Sequence, residues 1–131
     1  MTISPTLVSY VGTETITVTL SDGALLSSYT FKITVTNSAP KFIAGQPRDQ
    51  TVSQGRSVLY TLPAVVDDEK QEVSVSHSQL PSFVSFASVD KTYTIQPSLS
   101  TATGIYLVSG DLSDGTLSNP FNFKIKITLA P

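Results

Sequence analysis

The chain repeats itself at one fixed spacing of 92 residues, and this feature constrains its fold most. The tetrapeptide Leu20-Ser21-Asp22-Gly23 recurs as Leu112-Ser113-Asp114-Gly115, and residues 2–39 align with residues 94–131 without a gap. Self-similarity at a fixed period indicates copies of one structural unit, and a unit of about 90 residues is a small domain. We therefore predict the C-terminal half of one module in residues 1–38 and a complete module in residues 39–131.

Apolar and polar residues alternate with a period of two near the end of each copy. The apolar positions are Tyr29, Phe31, Ile33 and Val35 in the first copy and Phe121, Phe123, Ile125, Ile127 and Leu129 in the second. Such alternation is typical of half-buried antiparallel strands. The Asp-Gly pair that precedes each run predicts a tight hairpin.

The complete module contains turn signals every 8–12 residues, as expected for an immunoglobulin-like sandwich. No segment has a sustained helical pattern. The sequence predicts an all-β, seven-strand Greek-key sandwich with strands at Lys41–Ile43 with Thr51–Ser53, Ser57–Leu62, Val73–Val75, Phe83–Phe86, Tyr93–Gln96, 105–112 and 121–129. Gly110 falls inside one of these strands, where a glycine more often marks a bulge than the approach of a ligand.

Composition excludes several classes of function. The net charge is −2 and the eight Lys and Arg residues are scattered, so no basic patch predicts nucleic-acid binding. No apolar run has the length of a membrane span. Cysteine is absent, which excludes disulfides and thiolate metal sites. The single histidine, His77, is predicted to be a surface residue, and the sequence predicts no enzyme.

Four short motifs resemble the dystroglycan-type subfamily of cadherin-like repeats. Ala39-Pro40-Lys41-Phe42 is similar to its A-P-x-F opening, and residues 80–86 are similar to its L-P-x-W-L-x-F signature, with Phe83 in place of Trp. Gly104-Ile105-Tyr106, followed by the second Ser-Asp-Gly, resembles its G-x-Y-x-V…D-G stretch, and residues 123–127 fit its final strand. The resemblance covers residues 39–131, and residues 2–38 as the end of a preceding copy. It implies tandem sandwich modules of extracellular or cell-surface proteins, often with calcium at module junctions.

Acidic residues offer a candidate calcium site. In a seven-strand sandwich, the loop after the second strand, the last hairpin and the N-terminal linker share one end, which would gather Asp67, Asp68, Asp114 and Asn37. Calcium takes six to eight oxygen ligands, which convergent loops can supply. The resemblance implies the same role for the three Asp residues. The alternative is an ordinary solvated loop and a turn-forming Asp, because the linker lacks the flanking Asp residues of the D-x-N-D-N pattern.

The sequence thus predicts a structural or adhesive module of a large multi-repeat protein. It would act by end-to-end stacking and by protein–protein contacts, with adjacent modules and other chains as partners. The alternative is an accessory carbohydrate-binding module of a secreted enzyme. The alternation in residues 29–36 requires a covering partner, since half a sandwich exposes its core. Either the chain is an excerpt of a longer polypeptide, or residues 2–36 are complemented by strands from another chain.

Overall fold

The computed structural model describes residues 2–131, and its contacts divide the chain into two compact units. The first contains the residues up to Ser38 together with Asp68–Gln71, and the second contains Ala39–Asp67 and Glu72–Pro131. The regular structure is almost entirely β. The part of the chain that is described contains no helix long and apolar enough to cross a membrane.

The first unit is built on one long hairpin. A 3-10 turn at Val8–Tyr10 precedes strand β1 (Gly12–Ser21), which pairs with strand β2 (Leu26–Val35) in an antiparallel two-stranded sheet. The sequence favours strands here because Thr and branched apolar residues, which suit a pleated surface, alternate along both segments.

The second unit contains nine strand segments, which form seven strands because the first and second are each interrupted. The segments are β3 (Lys41–Phe42), β4 (Gln50–Ser53), β5 (Val58–Thr61), β6 (Val65–Val66), β7 (Ser74–His77), β8 (Val84–Ala87), β9 (Thr92–Ile95), β10 (Gly104–Ser113) and β11 (Ser118–Thr128). One sheet has the order β4-β11-β10-β7. The strands that face it pair as β5-β9-β8 and as β3-β6.

Pro63 explains the interruption of the second strand. Proline has no N–H to donate to a ladder, so strand pairing tends to stop or change partner there. Before it, β5 pairs with β9, and after it, β6 pairs with β3. Backbone bonds flank the break, from Leu62 N to Lys91 O and from Ile43 N to Ala64 O, both 2.9 Å.

A single apolar core lies between the sheets of the second unit. Aromatic rings join the two layers: the centroid of Phe123 lies 5.1 Å from that of Tyr93 and 5.4 Å from that of Tyr60, and Phe42 meets Phe121 at 5.5 Å. The buried apolar residues are Phe42, Val52, Leu62, Val84, Tyr93, Ile95, Val108, Leu112, Phe121, Phe123, Ile125 and Ile127. Every second residue of β11 from Phe121 to Ile127 is in this list, which is the alternation that the sequence predicts.

The predicted fold class is confirmed, and each of the seven predicted strands has an observed counterpart with bounds shifted by one to three residues, but the sequence did not predict β6 after the interruption of the second strand. The prediction for Gly110 is wrong. The β10 ladder passes through Gly110 without a bulge, since Gly110 pairs with Phe121 on one side and His77 on the other. A Cβ at Gly110 would lie 2.6 Å from Phe121 Cζ and 2.7 Å from the Ser76 carbonyl oxygen. The glycine is therefore required by close packing.

The two long hairpins have the same register. Strand β1 pairs with β2 from Gly12↔Val35 to Ser21↔Leu26, and strand β10 pairs with β11 from Gly104↔Ile127 to Ser113↔Ser118. Adding the repeat spacing of 92 to each residue number of the first register gives the second. The similarity between the two segments of sequence thus extends to every strand pair of the hairpins.

Candidate functional sites

The turn of the second hairpin is organised by Asp114. Its Oδ1 accepts hydrogen bonds from the backbone N–H groups of Thr116 and Leu117, both at 2.7 Å. Gly115 follows with a φ of 96°, a conformation that suits glycine. The predicted Asp-Gly hairpin is therefore confirmed, and turn formation is one role of the Asp114 carboxylate.

Asp22 forms the same turn in the first hairpin. Its Oδ1 accepts from Ala24 N at 2.9 Å and from Leu25 N at 2.8 Å, and Gly23 also has a φ of 96°. Hydrogen bonds from the Leu25 and Ala24 amides lower the pKa of Asp22, because they stabilise the charged carboxylate.

Two of the predicted calcium ligands, Asp67 and Asp114, are buried residues of the second unit. Asp67 directly follows β6, and the Lys41↔Val66 pair brings Asp67 beside Pro40. The Pro40 carbonyl in turn accepts a bond of 3.2 Å from Asn119 Nδ2, near the Asp114 turn. Asp67 and Asp114 therefore lie at the same end of this unit.

Asn37 and Asp68, the other two predicted ligands, belong to the first unit. The residues from 2 to 131 contain no group of three or more His, Cys, Asp or Glu side chains suited to hold a metal ion. Coordination of calcium by Asp67, Asp68, Asp114 and Asn37 stays a prediction.

Glu69 has a role that the sequence did not indicate. Its carboxylate is buried and accepts hydrogen bonds from Ser38 Oγ at 2.9 and 3.1 Å, and from Ser38 N at 3.3 Å. This contact closes the first unit by joining the end of its chain to the Asp68–Gln71 segment. The acidic run at residues 67–69 was visible in the sequence, but nothing in it pointed to Ser38 as the partner.

His77 is not the surface residue that the sequence predicts. Its ring is half-buried and packs on Phe86 and Tyr93 with centroid distances of 4.7 and 5.3 Å. Nε2 lies 2.7 Å from the Tyr93 hydroxyl oxygen. Burial lowers the pKa of His77 and raises the pKa of Tyr93. Burial thus favours a neutral imidazole and a protonated phenol, and the pair is an uncharged hydrogen-bonded contact that packs against the core.

A hydroxyl-rich groove of 570 Å³ lies on the second unit near the start of β10, at the opposite end of this strand from the hairpin turn. Its walls include Ser82, Ser100 and Thr101, and the aromatic residues Phe83 and Tyr106. The two rings meet edge to face at 4.8 Å, and the Tyr106 hydroxyl donates to Ala102 O at 2.7 Å. Hydroxyl groups beside aromatic rings can contact a carbohydrate through both hydrogen bonds and apolar packing.

The first unit carries an apolar groove of 440 Å³ on one face of its hairpin, lined in part by Ile3, Ile16, Ile33 and Val35. Further along this face Phe31 is 39% exposed, whereas its equivalent in the second unit, Phe123, is 2% exposed. The apolar part of this groove therefore consists of side chains whose equivalents the second unit buries.

Similarity to known proteins is limited to fold. No protein-family model matches the sequence, and no curated protein matches it. An endo-fucoidan hydrolase of glycoside hydrolase family 107 matches with a TM-score of 0.60 at 22% identity, over 93% of this chain and 19% of that chain. The extracellular cadherin domains 1–4 of protocadherin gamma B7 match with a TM-score of 0.58 at 17% identity, over 91% and 32% of the two chains.

The insect immune protein hemolin matches with a TM-score of 0.53 at 18% identity, over 88% of this chain and 29% of that chain. This chain therefore spans less than a third of the length of each of these three proteins. Together they show that its fold is that of immunoglobulin-like and cadherin-like sandwiches.

Proposed function

We propose that the chain is part of a tandem array of cadherin-like sandwich modules with a structural and adhesive role. Residues 1–38 would be the closing half of one module and residues 39–131 a complete one. The observation that carries the proposal is the shared register of the two hairpins at a spacing of 92 residues. The motifs that resemble dystroglycan-type repeats support the same subfamily, and with it an extracellular or cell-surface location.

The proposed mechanism is the stacking of modules through a short, stiff junction. Pro40 restricts the conformation of Ala39 to extended geometries, which favours a spacer over a flexible tether. Adjacent modules of the same chain and other protein chains would be the partners. Calcium, if held by the predicted oxygen ligands, would stiffen the junction further. The role proposed is not catalytic, and the only histidine packs against Tyr93 of the core.

Backbone ¹⁵N relaxation of the recombinant chain tests this mechanism. If the units stack, the amides of β1–β2 and β10–β11 share one rotational correlation time. Adding millimolar calcium should leave this shared correlation time unchanged or lengthen it. Two independent correlation times with and without calcium would contradict stacking. The variant Asp67→Asn with Asp68→Asn serves as the control for any calcium effect, which it should abolish.

Carbohydrate binding is the second candidate, and the hydroxyl-rich groove favours it. The fucoidan hydrolase is similar to this chain only in fold, and its name suggests fucoidan as a first ligand to examine. Titration of the chain with fucoidan and with neutral oligosaccharides, followed by amide chemical shifts, should move Ser82, Phe83 and Ser100 if the groove binds sugar. Absence of shifts at millimolar oligosaccharide would remove this candidate, and Ser100→Ala tests whether shifts that do occur depend on the groove.

A further inference from the structure

The uncovered face of the first hairpin has a covered equivalent in the same molecule. Ile3, Ile16, Ile33 and Val35 of the groove correspond, 92 residues later, to Ile95, Val108, Ile125 and Ile127. The latter four are at most 2% exposed, because Val108, Ile125 and Ile127 of one sheet pack against the facing sheet that contains Ile95. The second unit therefore shows what kind of surface fits this face: a β-sheet that presents branched apolar and aromatic side chains.

Both outer edges of the first hairpin also have paired equivalents. Strand β11 pairs with β4 at Ile125–Thr128, which corresponds to residues 33–36, and β10 pairs with β7 at Gly110–Ser113, which corresponds to residues 18–21. Among the described strands, β1 and β2 pair only with each other. Unpaired strand edges favour the addition of further strands. The second unit thus surrounds its hairpin with two edge strands and a facing sheet, which are formed by β3–β9.

The alignment also relates residues 2 and 3 to such a half-module. Thr2-Ile3 corresponds to Thr94-Ile95, which ends strand β9. A half-module docked as β3–β9 is in the second unit would therefore cover Ile3 in the shared core, as Ile95 is covered.

Two positions on the hairpin differ from their equivalents and would select among such half-modules. Val18 stands where the second unit has Gly110, and at Gly110 a Cβ would lie 2.7 Å from the carbonyl oxygen of the adjacent strand β7. Glu14 stands where the second unit has Tyr106, which packs on Phe83. Covering the Glu14 carboxylate with an aromatic ring alone would cost free energy, because the charge would lose its water. A cationic side chain facing it would offset this cost by forming an ion pair.

We infer that the apolar face of β1–β2 docks a half-module with the strand order of β3–β9, which has a recess beside Val18 and a basic side chain facing Glu14. This inference rests on the tandem arrangement proposed above. It identifies the first hairpin as an acceptor surface. This surface differs from the second hairpin, where the positions equivalent to Val18 and Glu14 are Gly110 and Tyr106 and both already pack against neighbouring residues.

The test extends the full chain by a second copy of residues 39–93 placed directly before Thr2. One version keeps the natural hairpin, and another carries Glu14→Tyr and Val18→Gly, which restore the side chains of the second unit. We compare residue-resolved amide exchange in both extended chains with that in the unextended chain. In the extended chain with Glu14→Tyr and Val18→Gly, exchange at residues 18–21 and 33–36 should slow by at least ~100-fold. In the extended chain with the natural hairpin it should slow by less. Adding Phe31→Asp should abolish the slowing, and Thr30→Asp on the opposite face should leave it.

Three results would overturn the inference. The first is unchanged exchange in both extended chains while β10–β11 stays protected. The second is equal or stronger protection with the natural hairpin, which would refute the roles given to Val18 and Glu14. The third is a dimer of the unextended chain with a protected hairpin, since a second copy would then be the occupant. The relaxation experiment on the unextended chain is independent of these results, so stacking and docking can fail separately.

Discussion

At Gly110 the backbone of β10 runs directly against the Phe121 ring and the Ser76 carbonyl. Because one of these neighbours is backbone, the space for a methyl group cannot be made by a rotamer change. We expect Gly110→Ala to reduce the free energy of unfolding of the second unit by about 1–3 kcal/mol, as overpacking does. Urea unfolding followed by circular dichroism measures this. The neighbouring Ser109→Ala is the control, and an equal stability of the two variants would contradict the packing role.

His77 should make the second unit less stable in mild acid. Burial lowers its pKa in the folded state, so in the unfolded state it binds a proton more readily. The stability that the neutral ring provides is complete above its ordinary pKa of about 6.5, and it is lost progressively as the pH falls towards the lower folded value. We expect the urea midpoint of the chain to fall between about pH 7.5 and pH 5, and His77→Gln to reduce this dependence. The same dependence in both proteins would show that other groups cause it.

At the scale of single elements, the Ser-Asp-Gly turns depend on a side-chain oxygen and not on a charge. Asp114 Oδ1 binds two backbone N–H groups, and an Asn side chain offers the same acceptor. We expect Asp114→Asn to stay within about 0.5 kcal/mol of the parent in calcium-free buffer and Asp114→Ala to lose about 1–2 kcal/mol. Thermal or urea unfolding distinguishes them. Equal losses in both variants would show that the carboxylate charge itself is required.

The two β-hairpins offer a matched pair of core substitutions. Phe123 is almost fully buried, and Phe31, its equivalent at the same register position, is 39% exposed. We expect Phe123→Ala to cost about 3–5 kcal/mol of unfolding free energy and Phe31→Ala less than about 1 kcal/mol. Equilibrium urea unfolding of both variants checks this. A comparable cost for Phe31→Ala would mean that the first hairpin is covered in solution.

Local patterns predicted the elements well because the strands of this chain are amphipathic. The alternation from Phe121 to Ile127 gives the period, and Asp114-Gly115 gives the turn, so the last hairpin could be derived from the sequence alone. The burial of His77 could not, because it depends on rings of Phe86 and Tyr93 that are distant in sequence. The contact between Glu69 and Ser38 was equally hidden, since 31 residues separate them. Asp67 lies beside Pro40 because β3 pairs with β6. The sequence predicted only that the linker and the loop after the second strand lie at the same end of the sandwich.

At the scale of the whole molecule, two hairpins of the same register lie in different surroundings. In the second unit it lies under a facing sheet and between two edge strands, and in the first its apolar face lines an open groove. Because the register and the alternation of apolar residues are shared, the difference in burial between the copies arises mainly from the strands that surround them. The proposed tandem array and the proposed acceptor surface both follow from this comparison.

Amide hydrogen exchange of the unmodified chain, resolved by residue, tests this central claim most directly. Strand pairs of identical register should exchange at very different rates, with the amides between β10 and β11 at least ~100-fold slower than those between β1 and β2, since exchange reflects local opening against burial. Equal protection of the two hairpins in the monomeric chain would contradict the account, because the first would then be stable without the strands that cover its equivalent.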